Sequence, residues 1–121
     1  MPPGKDSNPE SFLPLTATVF HILVALAGED RHGYAIIQDV AARTLGKLRL
    51  SPGTLYGSVK RLLEDGLIQE TVERPDPELD DERRRYYRLT ALGRAVAEAE
   101  AVRLEHLVRQ VRASGLLPRK S

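Results

Sequence analysis

The sequence predicts a mainly α-helical protein with a small β-hairpin: a winged helix-turn-helix domain followed by a long C-terminal dimerisation helix. Apolar residues recur at helical spacing in four segments of the 121-residue chain. Two short runs with β-branched and aromatic residues separate the third segment from the fourth, and a short connection joins the second to the third. The predicted parts are a disordered tail at 1–11, the winged domain at 12–90, the dimerisation helix at 91–113 and a flexible tail at 114–121.

The first two helices have recognisable boundaries. Thr16 is a suitable N-cap for helix 1, and the helix is expected to end near Gly28. Helix 2 is expected to start at His32 and Gly33, with His32 helping to start it, and Gly46 supplies a stop.

Helix 3 has the clearest start and stop signals in the chain. Ser51 is a good N-cap, and Pro52 in the first helical position gives up only a backbone donor that would be unpaired anyway. Gly66 is expected to end the helix. The inward face is apolar and consists of Leu55, Val59, Leu62 and Leu63.

Two strands are predicted at 67–73 and 83–89, as a hairpin with a long tip. The intervening RPDPELDDE at 74–82 contains two prolines, which are expected to stop the first strand. Alternation along the second strand would divide its residues between two faces. These faces are Arg84, Tyr86 and Arg88 on one side, and Arg83, Arg85, Tyr87 and Leu89 on the other.

Thr90 is expected to cap a last helix that runs to about Ala113 and is roughly 34 Å long, at about 1.5 Å per residue. Its apolar residues alternate spacings of four and three, which is typical of a helix seam. We predict that the seam forms a dimer; the alternative is that it packs against its own domain. The predicted dimerisation residues are Ala97, Ala101, Leu104, Val108 and Val111.

Charge is distributed unevenly along the chain, although the net charge is only +1. Residues 43–63 contain five lysines and arginines and no acid, and residues 83–94 contain five arginines and no acid. The stretch between them, 64–82, is strongly acidic. The two basic stretches favour contact with a polyanion more than the net charge does.

On a helical wheel at about 100° per residue, helix 3 turns a distinct set of residues outward. Its N-terminal residue Ser51 suits a phosphate as well as a cap, and Tyr56 lies on the flank, where the ring can pack at the domain edge while the hydroxyl reaches a phosphate. Gly57 costs helix stability, which close approach to DNA would explain; simple tolerance of glycine is the alternative. The predicted DNA-binding residues of this helix are Ser51, Thr54, Tyr56, Gly57, Lys60 and Arg61, with Gly53 also facing outward.

For Lys60 and Arg61 the alternative to DNA contact is an ordinary solvated helix face. The run of Arg83, Arg84 and Arg85 is predicted to place the wing on DNA. The acidic residues 80–82 could instead pair with these arginines or keep the loop away from phosphates, so both outcomes remain open.

Several function classes are not supported by the sequence. It contains no cysteine, and its three histidines, His21, His32 and His106, are too dispersed for a metal cluster. It shows no nucleophile elbow, phosphate-binding glycine loop or paired-carboxylate arrangement. We therefore expect no enzyme activity, metal or cofactor. The absence of a long apolar run or signal peptide leads us to expect a cytoplasmic protein without a membrane partner.

Three segments, taken in order, resemble the PadR family of bacterial transcriptional regulators: HGYAI at 32–36, LSPGTLYGSVKRLLEDGLI at 50–68 and DDERRRYYRLTALG at 80–93. The stretch from the first segment to the last, 32–93, makes up most of residues 12–113. The resemblance implies a homodimer that binds a palindromic double-stranded DNA operator and usually represses transcription. The chain is similar to the short branch of the family, with one helix after the wing.

By position, the resemblance implies that Tyr56, Lys60 and Arg61 belong to the recognition helix, Tyr34 to the helix 2 motif, and 83–87 to the wing. Some members bind aromatic or drug-like ligands at the dimer interface, often beside a tryptophan. This chain has no tryptophan. A small-molecule effector is therefore expected only as a partner of unknown identity.

A second function, binding to a protein partner, also fits the residues. A winged-helix module could bind an acidic protein partner through its basic faces, without sequence-specific DNA binding. Salt-dependent binding with one preferred DNA sequence would favour the DNA-binding reading. A small enzyme would need a catalytic constellation that the sequence does not show.

Overall fold

Four α-helices and short antiparallel strands make up the computed structural model, which describes residues 8–71, 74–75 and 83–118. The helices are α1 (Ala17–Gly28), α2 (Gly33–Arg43), α3 (Pro52–Glu64) and α4 (Ala91–Ala113). The strands are β1 (Arg31–His32), β2 (Ile68–Glu70), β3 (Arg74–Pro75), β4 (Arg83–Arg84) and β5 (Tyr86–Leu89). A 3-10 turn at Pro9–Phe12 precedes them.

Each α-helix starts with the same type of cap. The side chains of Thr16, His32, Ser51 and Thr90 accept a hydrogen bond from the backbone N–H three residues later. Such a bond satisfies one of the amides that a helix start leaves unpaired. The four predicted helices and their N-terminal boundaries are therefore confirmed, including the part of His32 in starting α2.

The sheet differs from the predicted simple hairpin. Its strand order is β1-β5-β2, with Arg31 opposite Tyr87 and Ile68 opposite Leu89. The sequence did not indicate β1, because two residues are too short to show a period of two. The strand stop predicted at 74–82 is wrong for its first two residues: Pro75 lies opposite Arg83 in a two-stranded ladder of β3 and β4. A ladder of two strands has edges on both sides, where a proline is tolerated.

One hydrophobic core joins all four helices to the sheet. Its centre contains Ile22, Leu23, Ile36, Val40 and Leu55, all fully buried. Val96 of α4 and Tyr87 of β5 close the core from the other side. Burial of each large aliphatic side chain contributes roughly 1.5–3 kcal/mol, so this core fixes the positions of α2 and α3.

Part of the predicted disordered tail at 1–11 is structured. Asn8 accepts a hydrogen bond from the Glu10 backbone N–H, and the following 3-10 turn packs against α4. Partial burial of Phe12 and Leu13 against the core explains why this segment is held. Residues 1–7 of the tail lie outside the described residues.

The predicted flexible tail at 114–121 begins with a hydrogen-bonded turn. Gly115 has a φ of 85°, and the Leu116 N–H donates to the Val111 carbonyl. Residues 119–121 are outside the description. Over the residues described, no helix combines the length and apolar character needed to cross a membrane.

Candidate nucleic-acid interface

A hydrogen-bonded turn sets the angle between α2 and α3. The Thr44 hydroxyl donates to the Val40 carbonyl at 2.9 Å and accepts from the Leu48 N–H at 3.0 Å. Leu45 and Gly46 both have positive φ, 54° and 79°, and the Gly46 N–H returns to the Ala41 carbonyl at 2.7 Å. This is the left-handed helix ending known as a Schellman motif. It fixes the direction in which α3 leaves α2.

Helix α3 presents its predicted outer face to solvent. Leu55, Val59 and Leu62 are buried, while Gly53, Gly57, Lys60 and Arg61 are exposed. Within the described part of the chain, neither Lys60 nor Arg61 forms an ion pair. Since an intramolecular carboxylate would neutralise these cations, their full charge is available to a polyanion.

Ser51 and Thr54 are linked at the start of α3. The Ser51 hydroxyl oxygen accepts the Thr54 N–H at 3.1 Å and lies 3.1 Å from the Thr54 hydroxyl oxygen. Pro52 has no N–H, so the Gly53 N–H is the remaining backbone donor of the first turn. Ser51 is thus the predicted N-cap, and its role toward a phosphate stays a prediction.

Tyr56 lies at the edge between α3 and α2. Its side chain is 49% exposed, and a Cβ built on Gly33 would collide with its hydroxyl oxygen. The hydroxyl therefore lies directly against the first turn of α2, where only glycine leaves room. The ring position matches the expectation of packing at the domain edge. Sequence reasoning used Gly33 as the start of helix 2 and missed its contact with Tyr56.

The four tyrosines of the chain gather around this start of α2. Tyr34 is in the first turn of the helix and is 56% exposed. The ring of Tyr86 meets that of His32 edge to face, with centroids 5.3 Å apart. Tyr87 is buried, and burial, followed by the nearby Tyr56 and Glu70, raises its pKa. Apolar rings with polar tips thus border the N-terminal end of α2, an arrangement suited to a phosphate backbone.

The wing arginines are only partly described. The Arg85 side chain is exposed and pairs with Glu70 at 3.4 Å. Arg88 pairs with Asp30 at 2.9 Å, and this contact raises the pKa of the guanidinium. Arg83 and Arg84 form β4, but their side chains and the acidic residues 80–82 lie outside the described residues. Both basic stretches therefore include cations with internal partners: Arg43 is likewise paired with Asp39, at 2.7 Å.

The predicted seam residues have different surroundings at the two ends of α4. Ala97 packs against the core of its own domain. Ala101 is exposed, Leu104 and Val111 are half-buried, and Val108 is 38% exposed. Leu107, which was not among the predicted seam residues, is 45% exposed beside them. The first residue thus follows the alternative of packing within the domain, whereas the later ones lie on a part of α4 that leaves it.

A buried carboxylate marks the point where α4 leaves the domain. Glu100 is 2% exposed, and both of its oxygens accept hydrogen bonds from Arg103 at 2.8 Å. These bonds, together with one from the Leu15 backbone, lower the pKa of Glu100 against the opposing effect of burial. The position of Glu100 continues the buried face of Gly93 and Val96 at helical spacing, so only the charge of the side chain suggests an exposed position in the sequence.

A cleft of about 540 Å³ lies between the N-terminal segment and one flank of α3. Its apolar wall is formed by the N-terminal segment and the start of α1, and its polar wall by the flank of α3. The lining includes Phe12, Leu15, Val19, Thr54, Gly57 and Arg61. Three of these, Thr54, Gly57 and Arg61, are also predicted DNA-binding residues, so the cleft and the outer face of α3 overlap.

Helices α2 and α3, joined by a fixed turn and followed directly by a small antiparallel sheet, define a winged helix-turn-helix protein. The chain belongs to the transcriptional regulator PadR-like family, whose family model matches residues 22–99. It is also 36% identical over 97 residues to a transcriptional regulator of Mycobacterium tuberculosis, a match that covers 78% of this chain and 82% of that protein. The family consists of transcriptional regulators rather than enzymes.

Solved structures share the fold. A PadR family transcription regulator from Clostridium difficile has a TM-score of 0.67 at 23% identity, with 81% of this chain and 97% of that chain covered. Bacillus subtilis PadR, crystallised in complex with operator DNA, has a TM-score of 0.61 at 18% identity, covering 69% of this chain and 46% of that one. The predicted fold class and the family resemblance are therefore confirmed.

Proposed function

We propose that the chain is a transcriptional repressor that binds a palindromic DNA operator as a homodimer, with α3 in the major groove. The observation that carries the proposal is the outer face of α3, on which exposed Lys60 and Arg61 have no ion pair in the described structure. Family membership and the operator complex of Bacillus subtilis PadR support it.

In this proposal α3 supplies the base contacts. Arg61 can donate two hydrogen bonds to a guanine edge, and Lys60 can reach a base or a neighbouring phosphate. Gly53 and Gly57 have no other atoms near the position of a Cβ, so the helix backbone can come close to the groove floor. The face combines two long cationic side chains with a helix surface that carries no side chain at Gly53 and Gly57. Both properties favour entry into a groove.

Phosphate contacts would come from the edges of the site. The first turn of α2 carries partial positive charge and unpaired amides, and Tyr34 and Tyr56 border it. Ser51 with the Gly53 N–H offers a second anchor at the start of α3. Arg85 and the other predicted wing arginines, Arg83 and Arg84, would reach the backbone on the far side of the groove.

The part of α4 beyond the domain supports the proposed homodimer. The apolar side chains of Leu104, Leu107, Val108 and Val111 lie on one side of this segment and are only partly covered. Burying each against a second copy would contribute roughly 1.5–3 kcal/mol. A twofold dimer would place two α3 helices about 34–36 Å apart, one turn of DNA, which requires an inverted repeat in the operator.

Release of the repressor by a small-molecule effector is the last part of the proposal. A molecule in the cleft beside α3 would contact Thr54, Gly57 and Arg61 and would therefore compete with DNA. Thermal denaturation with a panel of small molecules, with and without operator, tests this. Stabilisation by an effector should be antagonised by operator; additive stabilisation would contradict competition.

Selection of bound duplexes from a random pool is the main test of the proposed function. We expect an inverted repeat, bound with an affinity that falls steeply with salt. Arg61→Ala should weaken operator binding by about 1–3 kcal/mol and relax one base position, because the guanidinium reads that base. Arg109→Ala, which removes the same charge from an exposed position on α4, is the matched control.

The outcomes of this selection separate the candidate functions. An unchanged selected sequence for Arg61→Ala would exclude a base contact by that residue. A pool without any preferred sequence would favour the protein-binding module instead. An equal loss in the Arg109→Ala control would show that net charge, and not the position on α3, governs binding.

A further inference from the structure

We infer that Thr54 is a specificity-determining residue that selects a thymine in each operator half-site through contact between its methyl group and the thymine C5-methyl. The inference rests on the proposed function, since it requires α3 in the major groove. Its basis is the orientation of the Thr54 side chain and the bare helix surface on either side of it.

The hydroxyl oxygen of Thr54 accepts a hydrogen bond from the Ser51 hydroxyl. The two oxygens lie 3.1 Å apart, and the Thr54 N–H donates to that same Ser51 oxygen at 3.1 Å. A threonine Cβ carries one hydroxyl, one methyl and one hydrogen, and its χ1 is restricted to few rotamers. Because the hydroxyl oxygen is directed back to the N-cap, the methyl takes one of the two other positions on the Cβ of this exposed side chain, where it can meet a partner.

Two outer-face positions beside Thr54 carry no side chain. Gly53 precedes Thr54 and Gly57 lies one turn later, and the space around a Cβ at either glycine is open to 4 Å. The cations of α3, Lys60 and Arg61, lie one to two turns further along the helix. The first turns of α3 approach the base edges in helix-turn-helix proteins, and there Thr54 is an exposed side chain between these glycines, at the edge where α3 also borders the cleft.

The chemistry of the groove identifies the matching base. Thymine is the base whose major-groove edge carries a methyl group, whereas guanine, adenine and cytosine present polar atoms there. Removing two facing methyl groups from water is favourable by about four-fold in affinity for each buried methyl. A cytosine at the same position carries only a hydrogen at C5, so this methyl contact would be lost. Thr54 should consequently favour thymine over cytosine.

Uracil substitution in the selected operator tests this directly, because uracil differs from thymine by the C5-methyl alone. Each thymine is replaced in turn by uracil, and the affinity is measured for the wild type, Thr54→Ser and Thr54→Val. Thr54→Ser removes the protein methyl and keeps a hydroxyl for Ser51, whereas Thr54→Val keeps a methyl and removes that hydroxyl. Thermal denaturation confirms that the variants at this exposed position are folded.

For the wild type and Thr54→Val we expect one thymine position per half-site at which uracil lowers affinity by roughly four-fold. At that position Thr54→Ser should show no further loss, while its response at every other thymine stays that of the wild type. Equal responses of the wild type and Thr54→Ser at all positions would overturn this inference alone. A protein that selects no sequence at all would overturn the proposed function, and the inference with it.

Discussion

Individual residues on α2, α3 and α4 have surroundings that their residue types do not indicate. Gly57 faces open space, whereas Gly33 lies against the Tyr56 hydroxyl. Glu100 is a carboxylate in a helix that is otherwise amphipathic, yet it is buried and fully paired. A glycine in a helix is usually taken as a tolerated weak point, and a glutamate as an exposed charge. The contacts of each residue are needed to distinguish a structural role from a functional one.

Gly57→Ala should separate folding from DNA binding. Alanine is favoured over glycine in a helix by about 0.8–1 kcal/mol, and the new Cβ meets no atom within 4 Å, so the free energy of unfolding should rise by that amount. Operator affinity should fall by roughly ten-fold, because the methyl group would hold the backbone away from the groove. Urea denaturation and DNA titration of the same protein measure both effects. A stabilised variant with unchanged affinity would favour simple tolerance of glycine.

Glu100→Gln should weaken the fold in a pH-dependent way. The Arg103 hydrogen bonds hold the pKa of Glu100 below its ordinary value in the folded state, so the stabilisation is present above about pH 4.3 and is lost as the pH falls through the folded pKa. The wild type should therefore exceed the variant in stability near pH 7, and the difference should shrink toward about pH 3. Urea denaturation at both values measures it.

Glu98→Gln provides the matched control, since Glu98 lies on the same helix and is exposed. It should change the free energy of unfolding little at either pH. If the difference between the wild type and Glu100→Gln did not depend on pH, the ionised pair with Arg103 would not be the source of the stabilisation.

At the scale of elements, the helices could be predicted and the sheet only partly. Each helix start has a capping side chain followed by apolar residues at helical spacing, and both signals are local. Strand β1 lacks such a signal, since its two residues become a strand by pairing with β5, more than fifty positions away. The left-handed Leu45, with a φ of 54° and a side chain 87% exposed, was equally unpredictable because glycine was expected at that point.

The candidate site, too, could be predicted from the sequence only in part. The wheel placed Lys60 and Arg61 outside and Leu55 inside correctly, because α3 buries one regular face. It could not show that Tyr56 lies on Gly33, or that the Leu15 backbone binds Glu100, since both contacts join segments distant in sequence. Periodicity indicates the direction of a side chain, but the neighbour it meets depends on the packing of whole elements.

Gly93→Ala should disrupt the docking of α4 on the sheet. A Cβ on Gly93 would overlap the Leu67 carbonyl oxygen and lie 2.9 Å from its carbon, and that oxygen also accepts the Thr90 N–H. Since backbone atoms cannot move aside easily, we expect a loss of about 1–3 kcal/mol in the free energy of unfolding. Urea denaturation measures the loss, and Gly57→Ala is the matched substitution with the opposite sign. A neutral Gly93→Ala would show that α4 can shift on β2 without cost.

The whole molecule combines a winged domain built on one core with a helix that extends beyond it. The N-terminal segment links the two, because Leu15 lines the cleft beside α3 and also binds Glu100 at the point where α4 leaves the domain. The net charge of +1 is too small to attract DNA by itself. In the proposed function, attraction would come from local groups on α3 and at the start of α2, and their placement by the proposed dimer would determine which spacing of half-sites is bound.

The dimer can be tested with two valines on opposite flanks of α4. Val108, 38% exposed, lies on the predicted seam, and Val102, 56% exposed, lies about 120° away around the helix. Val108→Glu should weaken the dimer by about 3 kcal/mol or more, because the change occurs in both copies and places a charge in an apolar contact. Val102→Glu should leave it intact. Sedimentation at micromolar concentration, with and without operator, distinguishes these outcomes. Equal effects of the two substitutions would exclude the seam, and a wild type that stays monomeric on DNA would exclude the dimer itself.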